Sequence, residues 1–111
     1  MDEKLFESEE INAWHKKLNS KEHSPRRGYR RNVRVYTLVC YVNNIIGCFL
    51  SHNEGPIPVF IGRARKHMTD FPDNGEWYEY YKMVTNYLNT VETHLVEHGV
   101  DITSIYNYRN E

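Results

Sequence analysis

The sequence of residues 77–98 is WYEYYKMVTNYLNTVETHLVEH, and its apolar residues recur at the spacing of an amphipathic helix. These residues form an apolar stripe that consists of Trp77, Tyr81, Val84, Leu88, Val91 and Leu95. Neighbouring residues of the stripe are four, three, four, three and four positions apart, which places them on one helix face at the period of a coiled coil. We therefore predict a long C-terminal helix over residues 76–98 with one buried face.

Both ends of this helix carry sequence signals. Asp73 and Glu76 have the spacing of a capping box at the N-terminal end. Gly99 followed by Val100 is typical of a Schellman stop, in which Leu95 supplies the apolar contact. The helix is thus predicted with a defined start and a defined end.

A second, shorter helix is predicted over residues 9–19. Ser8 is a preferred capping residue, and an apolar stripe follows it that consists of Ile11, Trp14 and Leu18. Residues 20–32 contain proline, glycine and several arginines without apolar periodicity. We interpret this stretch as a basic loop, either a solvated connection or a mobile segment.

Residues 33–50 have the composition of a β-hairpin. Nearly every residue from 33 to 42 is β-branched, aromatic or apolar, and Asn43-Asn44 is a pair that tolerates positive φ before the apolar run resumes. A third short strand is predicted at 58–62. The fold class predicted for residues 1–111 is therefore α+β in a single domain, with a small antiparallel sheet of about three strands packed by the two helices.

The two cysteines and the uncharged stretch indicate a cytoplasmic protein. Cys40 and Cys48 fall on opposite faces of the predicted sheet, so we expect two separate, reduced thiols. The N-terminus lacks the basic and apolar regions of a secretory signal. Residues 35–53 carry no formal charge, but Asn43-Asn44 would be costly in mid-bilayer, so we expect no membrane partner.

Charge is separated along the chain. Residues 16–34 hold eight of the fourteen basic residues, whereas residues 70–111 hold eight acids. The basic part can contact phosphates or an acidic protein surface, or it can simply be solvated. Tyrosine and arginine are frequent interface anchors, and the helix at 76–98 has more aromatic residues than one stripe can bury. The candidate partner-binding residues are Arg26, Arg27, Tyr29, Arg30, Arg31, Arg63, Arg65, Lys66, Tyr78 and Tyr80.

No catalytic motif, cofactor or metal is predicted. The chain lacks the serine-hydrolase, phosphate-loop, dinucleotide and C-x-x-C patterns. His94, Glu97 and His98 are similar to the H-x-x-E-H pattern of inverzincin metallopeptidases, but the likeness covers five residues and structural zinc normally takes four ligands. His52 is the one histidine near the thiols, and apolar neighbours raise a thiol pKa, so we expect core packing rather than nucleophilic catalysis.

Two functions remain open from the sequence. The first is a small non-enzymatic protein-binding regulator or inhibitor that acts through its tyrosine-rich helix face, its basic loop, or homodimer formation along the heptad stripe. In composition such a chain resembles the accessory proteins of bacteriophages and mobile elements. The alternative is a nucleic-acid-binding module that uses residues 16–34 and 63–66.

The stripe leads to a first prediction. Leu88→Ala should lower the free energy of unfolding by roughly 2 to 5 kcal/mol, which is the range for truncation of a buried leucine. Chemical denaturation measures this loss, and substitutions off the stripe should have smaller effects. A Leu88→Ala protein that melts like the parent would show that the stripe is an open groove for a partner.

Overall fold

The computed structural model describes residues 3–19, 33–69 and 77–107, and every regular element within these ranges is helical. The elements are a 3₁₀ turn at Glu3–Phe6 and the helices α1 (Glu9–Asn19), α2 (Val33–Leu50), α3 (Ile57–Met68), α4 (Tyr78–Glu97) and α5 (Thr103–Asn107). The described residues contain no strand, so the predicted α+β fold is wrong. The loop at 20–32 lies outside the described residues.

The segment predicted as a β-hairpin, residues 33–50, is the single helix α2. Its buried residues follow the three-four spacing of a helix and are Val35, Leu38, Val42, Ile45 and Phe49. A β-branched residue in a helix costs at most about 0.7 kcal/mol relative to alanine, whereas burying a large apolar side chain contributes about 1.5 to 3 kcal/mol. Burial therefore outweighs strand propensity here. The predicted third strand, 58–62, lies within α3.

Helix α2 ends in a Schellman motif without glycine. The Asn53 N–H donates to the Cys48 carbonyl at 2.9 Å, and the His52 N–H donates to the Phe49 carbonyl at 3.3 Å. His52 takes the left-handed position with φ of 54°. Its ring stacks on Phe6 with centroids 4.6 Å apart, which holds this turn against the N-terminal 3₁₀ turn.

Two helices lie where the sequence predicts them. Helix α1 spans Glu9–Asn19, and the Ile11 N–H donates to Ser8 Oγ at 3.2 Å, as expected of an N-cap. Helix α4 stops at Gly99, whose φ is 74°, and the Val100 N–H donates to the Leu95 carbonyl at 3.0 Å. The predicted capping box at 73–76 lies outside the described residues.

The helices pack mainly as the pairs α2–α3, α3–α5, α1–α4 and α3–α4. A connection of six residues turns the chain between α2 and α3, and Tyr41 contacts His67 across the pair, as in an antiparallel helical hairpin. The buried face of α4 is wider than the predicted stripe. It contains Val84, Leu88, Val91 and Leu95 from the stripe together with Tyr80, Met83 and Tyr87.

The contact between α1 and α4 contains a buried polar pair. His15 Nε2 lies 2.8 Å from the Tyr87 hydroxyl oxygen, a hydrogen-bond distance, and both side chains are almost fully buried. The His15 ring also meets Phe49 of α2 edge-on, with centroids 5.3 Å apart. Burial lowers the pKa of His15 from 6.5 to about 4 and raises the pKa of Tyr87. The pair is therefore neutral at pH 7.

The depressed pKa of His15 makes stability dependent on pH. As the pH falls below 6.5, His15 becomes protonated in the unfolded chain, whereas in the folded protein it stays neutral until about pH 4. Stability is thus complete above pH 6.5 and declines between pH 6.5 and 4, by roughly 3 kcal/mol at about 1.4 kcal/mol per pKa unit.

His15→Gln is the matched control, because glutamine offers Tyr87 a polar partner but does not titrate. Denaturation at pH 7 and pH 4 should show that the variant loses less stability than the parent over this interval. Equal losses in the two proteins would mean that His15 does not carry the pH dependence.

Candidate partner-binding surface

Helices α3 and α5 approach each other closely at Gly62. A Cβ added to Gly62 would lie 2.7 Å from the Ile105 carbonyl oxygen and 3.2 Å from the Ile105 Cα. Only a residue without a side chain fits at this point of α3. Ile105 is buried, so the short helix α5 is docked by its own apolar residue over the glycine.

Exposed side chains flank this contact on both elements. Arg63 follows Gly62 directly and is exposed, and Tyr106 follows Ile105 with 44% of its surface exposed. Lys66 is exposed three residues after Arg63, which is the spacing of neighbours on a helix surface. We call Arg63, Lys66 and Tyr106 the α3–α5 surface. It combines two cations with an aromatic ring on elements that are fixed to each other.

Arg65, a predicted site residue, belongs to the interior contact between α3 and α4. Its guanidinium pairs with the Glu92 carboxylate, and its Nη2 donates to the Asn89 Oδ1 at 2.8 Å. The two paired groups are only about a quarter exposed. Arg65 therefore fixes α3 on α4.

Tyr78 and Tyr80 of α4, which were predicted to bind a partner, are less exposed to solvent than the sequence indicated. Tyr80 is 6% exposed and belongs to the core, because the buried face of α4 extends beyond the heptad stripe. Tyr78 is partly buried, and the Lys82 ammonium lies 5.1 Å from its ring centroid. The candidates Arg26, Arg27, Tyr29, Arg30 and Arg31 lie outside the described residues.

Sequence reasoning missed Tyr106 as a surface residue. The sequence of residues 101–111 predicts a tail whose Ile102, Ile105 and Tyr106 could dock on the core. In the structure Ile105 is buried and Ile102 is partly buried, while Tyr106 points to the exposed side of α5. The signal in the sequence was the spacing of three between Ile102 and Ile105, which places both on one helix face. Tyr106 follows Ile105 directly, and each step along a helix turns the side chain by about 100° away from that face.

A nucleophilic thiol and a metal site are the two further possibilities that the sequence raised. Cys48 is buried and burial raises the pKa of its thiol, while Cys40 is partly buried. Both are free cysteines, but they lie on one helix rather than on two faces of a sheet. Within residues 3–19, 33–69 and 77–107, no three histidine, cysteine, aspartate or glutamate residues are grouped to hold a metal ion.

The histidines of the H-x-x-E-H pattern have structural partners. His94 Nε2 donates to the Leu5 carbonyl at 2.6 Å, which fastens the N-terminal turn to α4. His98 Nδ1 donates to the His94 carbonyl at 3.0 Å in the last turn of α4. His94 also borders a polar groove of about 290 Å³ between α1 and α4, with Glu10, Thr93 and Glu97.

Comparison with protein-family models, curated proteins and solved structures finds no match for this chain. Among the described residues, no helix has both the length and the apolar character needed to cross a membrane.

Alanine substitutions at Gly62 and at Gly47, which both lie within helices, test the α3–α5 contact as a variant and its control. Gly62→Ala should lower the free energy of unfolding by about 1 to 3 kcal/mol, because its Cβ would collide with the Ile105 backbone. Gly47→Ala in α2 should raise it by roughly 0.5 to 1 kcal/mol, because nothing lies within 4 Å of its Cβ and alanine favours the helix.

Denaturation gives both values, and amide hydrogen exchange should show faster opening of α5 in Gly62→Ala only. If both variants were stabilised alike, the tight contact between α3 and α5 would be contradicted.

Proposed function

We propose that this chain is a small non-enzymatic protein-binding regulator that recognises an acidic partner surface through the α3–α5 surface. The observation that carries the proposal is that exposed Arg63 and Tyr106 directly follow Gly62 and Ile105, the two residues in contact, and that exposed Lys66 lies one turn further along α3. Tyrosine and arginine are enriched among residues that dominate binding energy. Carboxylates are the natural counterparts of the two cations.

The rigidity of α3 supports this use. The helix packs against α2, α4 and α5, and Arg65 fastens it to α4 through Glu92 and Asn89. Side chains carried by a fixed helix lose less conformational entropy on binding than side chains carried by a free loop. The α3–α5 surface is thus preorganised at its backbone.

The chemistry of the described residues supports a binding role rather than catalysis. The buried Cys48 thiol has a raised pKa, which disfavours the reactive thiolate. His15 is paired with Tyr87 in the core, and His94 and His98 donate to backbone carbonyls. Each of these three histidines is hydrogen-bonded to another group of the protein, which supports roles in packing and at helix ends.

A nucleic-acid ligand is the second candidate, and one contact favours it. Tyr41 of α2 meets His67 of α3, so the N-terminal half of α2 lies toward the C-terminal end of α3, where Lys66 is exposed. The basic sequence 16–34 ends in the first two residues of α2. A nucleic acid bound at residues 63–66 is therefore the alternative ligand, with the cations of residues 16–34 proposed as further phosphate contacts.

The proposal predicts the effect of removing the α3–α5 surface. The triple variant Arg63→Ser, Lys66→Ser, Tyr106→Ala should bind a partner recovered from the native host at least tenfold more weakly, because it removes three anchoring side chains. Its stability should change little compared with the loss of binding, since all three side chains lie at exposed positions. A control variant with Lys4→Ser and Lys82→Ser removes two exposed cations outside residues 16–34 and 63–66 and should bind like the parent.

The recovery should be done with and without nuclease, and the affinity measured at several salt concentrations. A protein partner should be retained after nuclease treatment, and the triple variant should mainly associate more slowly with it. A nucleic-acid ligand would instead give a log affinity that falls by roughly 0.9 per phosphate contact for each unit of log salt. If the triple variant binds as tightly as the parent, the α3–α5 surface is not the binding site.

A further inference from the structure

Helix α2 carries a second regular stripe on the side away from the core. Its members are four, three, four and three residues apart, which is the coiled-coil period, and they are Tyr36, Cys40, Asn43, Gly47 and Leu50. Tyr36 is 46% exposed and Leu50 is 78% exposed. Asn43 and Gly47 are exposed and Cys40 is partly buried. We call these five residues the outer α2 stripe.

The outer α2 stripe has no charge. Residues 35–53 contain no aspartate, glutamate, lysine or arginine, although these types make up 26% of the chain. The solvent face of an amphipathic helix normally carries charged residues. An exposed helix face with a tyrosine at one end, a leucine at the other and no charge between them has the character of a protein contact surface.

The stripe is symmetric about Asn43. Tyr36 lies seven residues before Asn43, and Leu50 lies seven residues after it. If a second α2 crosses in the opposite direction about a two-fold axis at Asn43, each Tyr36 faces the Leu50 of the other copy. The two Asn43 carboxamides then meet, and each has both donors and acceptors for the other. The sequence of the stripe therefore complements itself.

The shape of the surface also fits a second copy. An added Cβ at Gly47 would have no atom within 4 Å, so the backbone of α2 is open to close approach there. Beside Leu50 lies a cleft of about 530 Å³ between α1 and α2, which is lined by Asn12, His15, Lys16, Asn19, Ile46 and Leu50. Antiparallel pairing directs the Tyr36 ring of the second copy toward this cleft.

We propose that two copies of this chain associate through the outer α2 stripe as an antiparallel, two-fold symmetric dimer. Such a contact is isologous, so every favourable pairing occurs twice. Identical molecules usually repel where like charges meet, but the five residues of the outer α2 stripe carry no charge, and Lys16 of the cleft would lie opposite the uncharged Tyr36 of the other copy. The dimer is independent of the partner proposed for the α3–α5 surface, and it differs from association along the α4 heptad stripe, which is core.

Sedimentation analysis over a range of concentrations tests the dimer with a matched pair of variants. Asn43→Glu places two carboxylates together at the two-fold axis and should weaken association at least tenfold. Asn44→Glu makes the same chemical change at the next exposed residue, about 100° away around the helix, and should associate like the parent.

A mixture of the Asn43→Glu and Asn43→Lys proteins gives the decisive result. Each variant alone should be monomeric, whereas the mixture should recover association as a heterodimer, because opposite charges then meet at the axis. This recovery also shows that both variants are folded. The proposal is overturned if the parent is monomeric up to roughly 1 mM, the weakest affinity of interest, if Asn44→Glu weakens association as much as Asn43→Glu, or if the mixture stays monomeric.

Discussion

Burial of the apolar face of α4 is the constraint on which the other contacts depend. Helices α1 and α3 both pack against this face, the first with the His15–Tyr87 pair and the second with the Arg65–Glu92 ion pair. An ion pair that is only partly exposed contributes little free energy by itself but selects one geometry among those that burial allows. Because α3 is fixed in this way, Gly62 gives the backbone of α5 at Ile105 a defined position on α3.

The sequence predicted α1 and α4 because apolar spacing and end signals agreed there. Ser8 caps α1, and Gly99 takes the left-handed conformation that a Schellman stop requires. Helix α2 was missed for the opposite reason. Its residues favour strands, Asn43-Asn44 resembles a hairpin turn, and its left-handed stop is His52, a residue that does not signal a helix end by type. The three-four spacing of its buried residues was the correct signal, but local propensity concealed it.

The candidate site was predictable only in part, because exposure depends on neighbours that a sequence does not specify. Arg63 and Lys66 are exposed, as a basic surface requires, whereas Arg65 between them is drawn to Glu92 and Asn89 of a helix that is distant in sequence. Tyr80 was expected near the surface but is core, since α4 is covered by more than one helix. The role of Gly62 could not be predicted either, because a close approach to Ile105 is a property of the packed chain.

Residues 33–50 are apolar nearly throughout, so whether they form a strand or a helix, both sides of the element need to be covered. A strand that is apolar on both faces needs cover on both. In the helix, one side is covered by the core through Val35, Leu38, Val42, Ile45 and Phe49. The other side keeps a coiled-coil period from Tyr36 to Leu50 without any charge to interact with water. Solubility alone does not explain a regular, uncharged stripe opposite a complete core, whereas a self-complementary contact explains its spacing, its neutrality and its symmetry about Asn43 together.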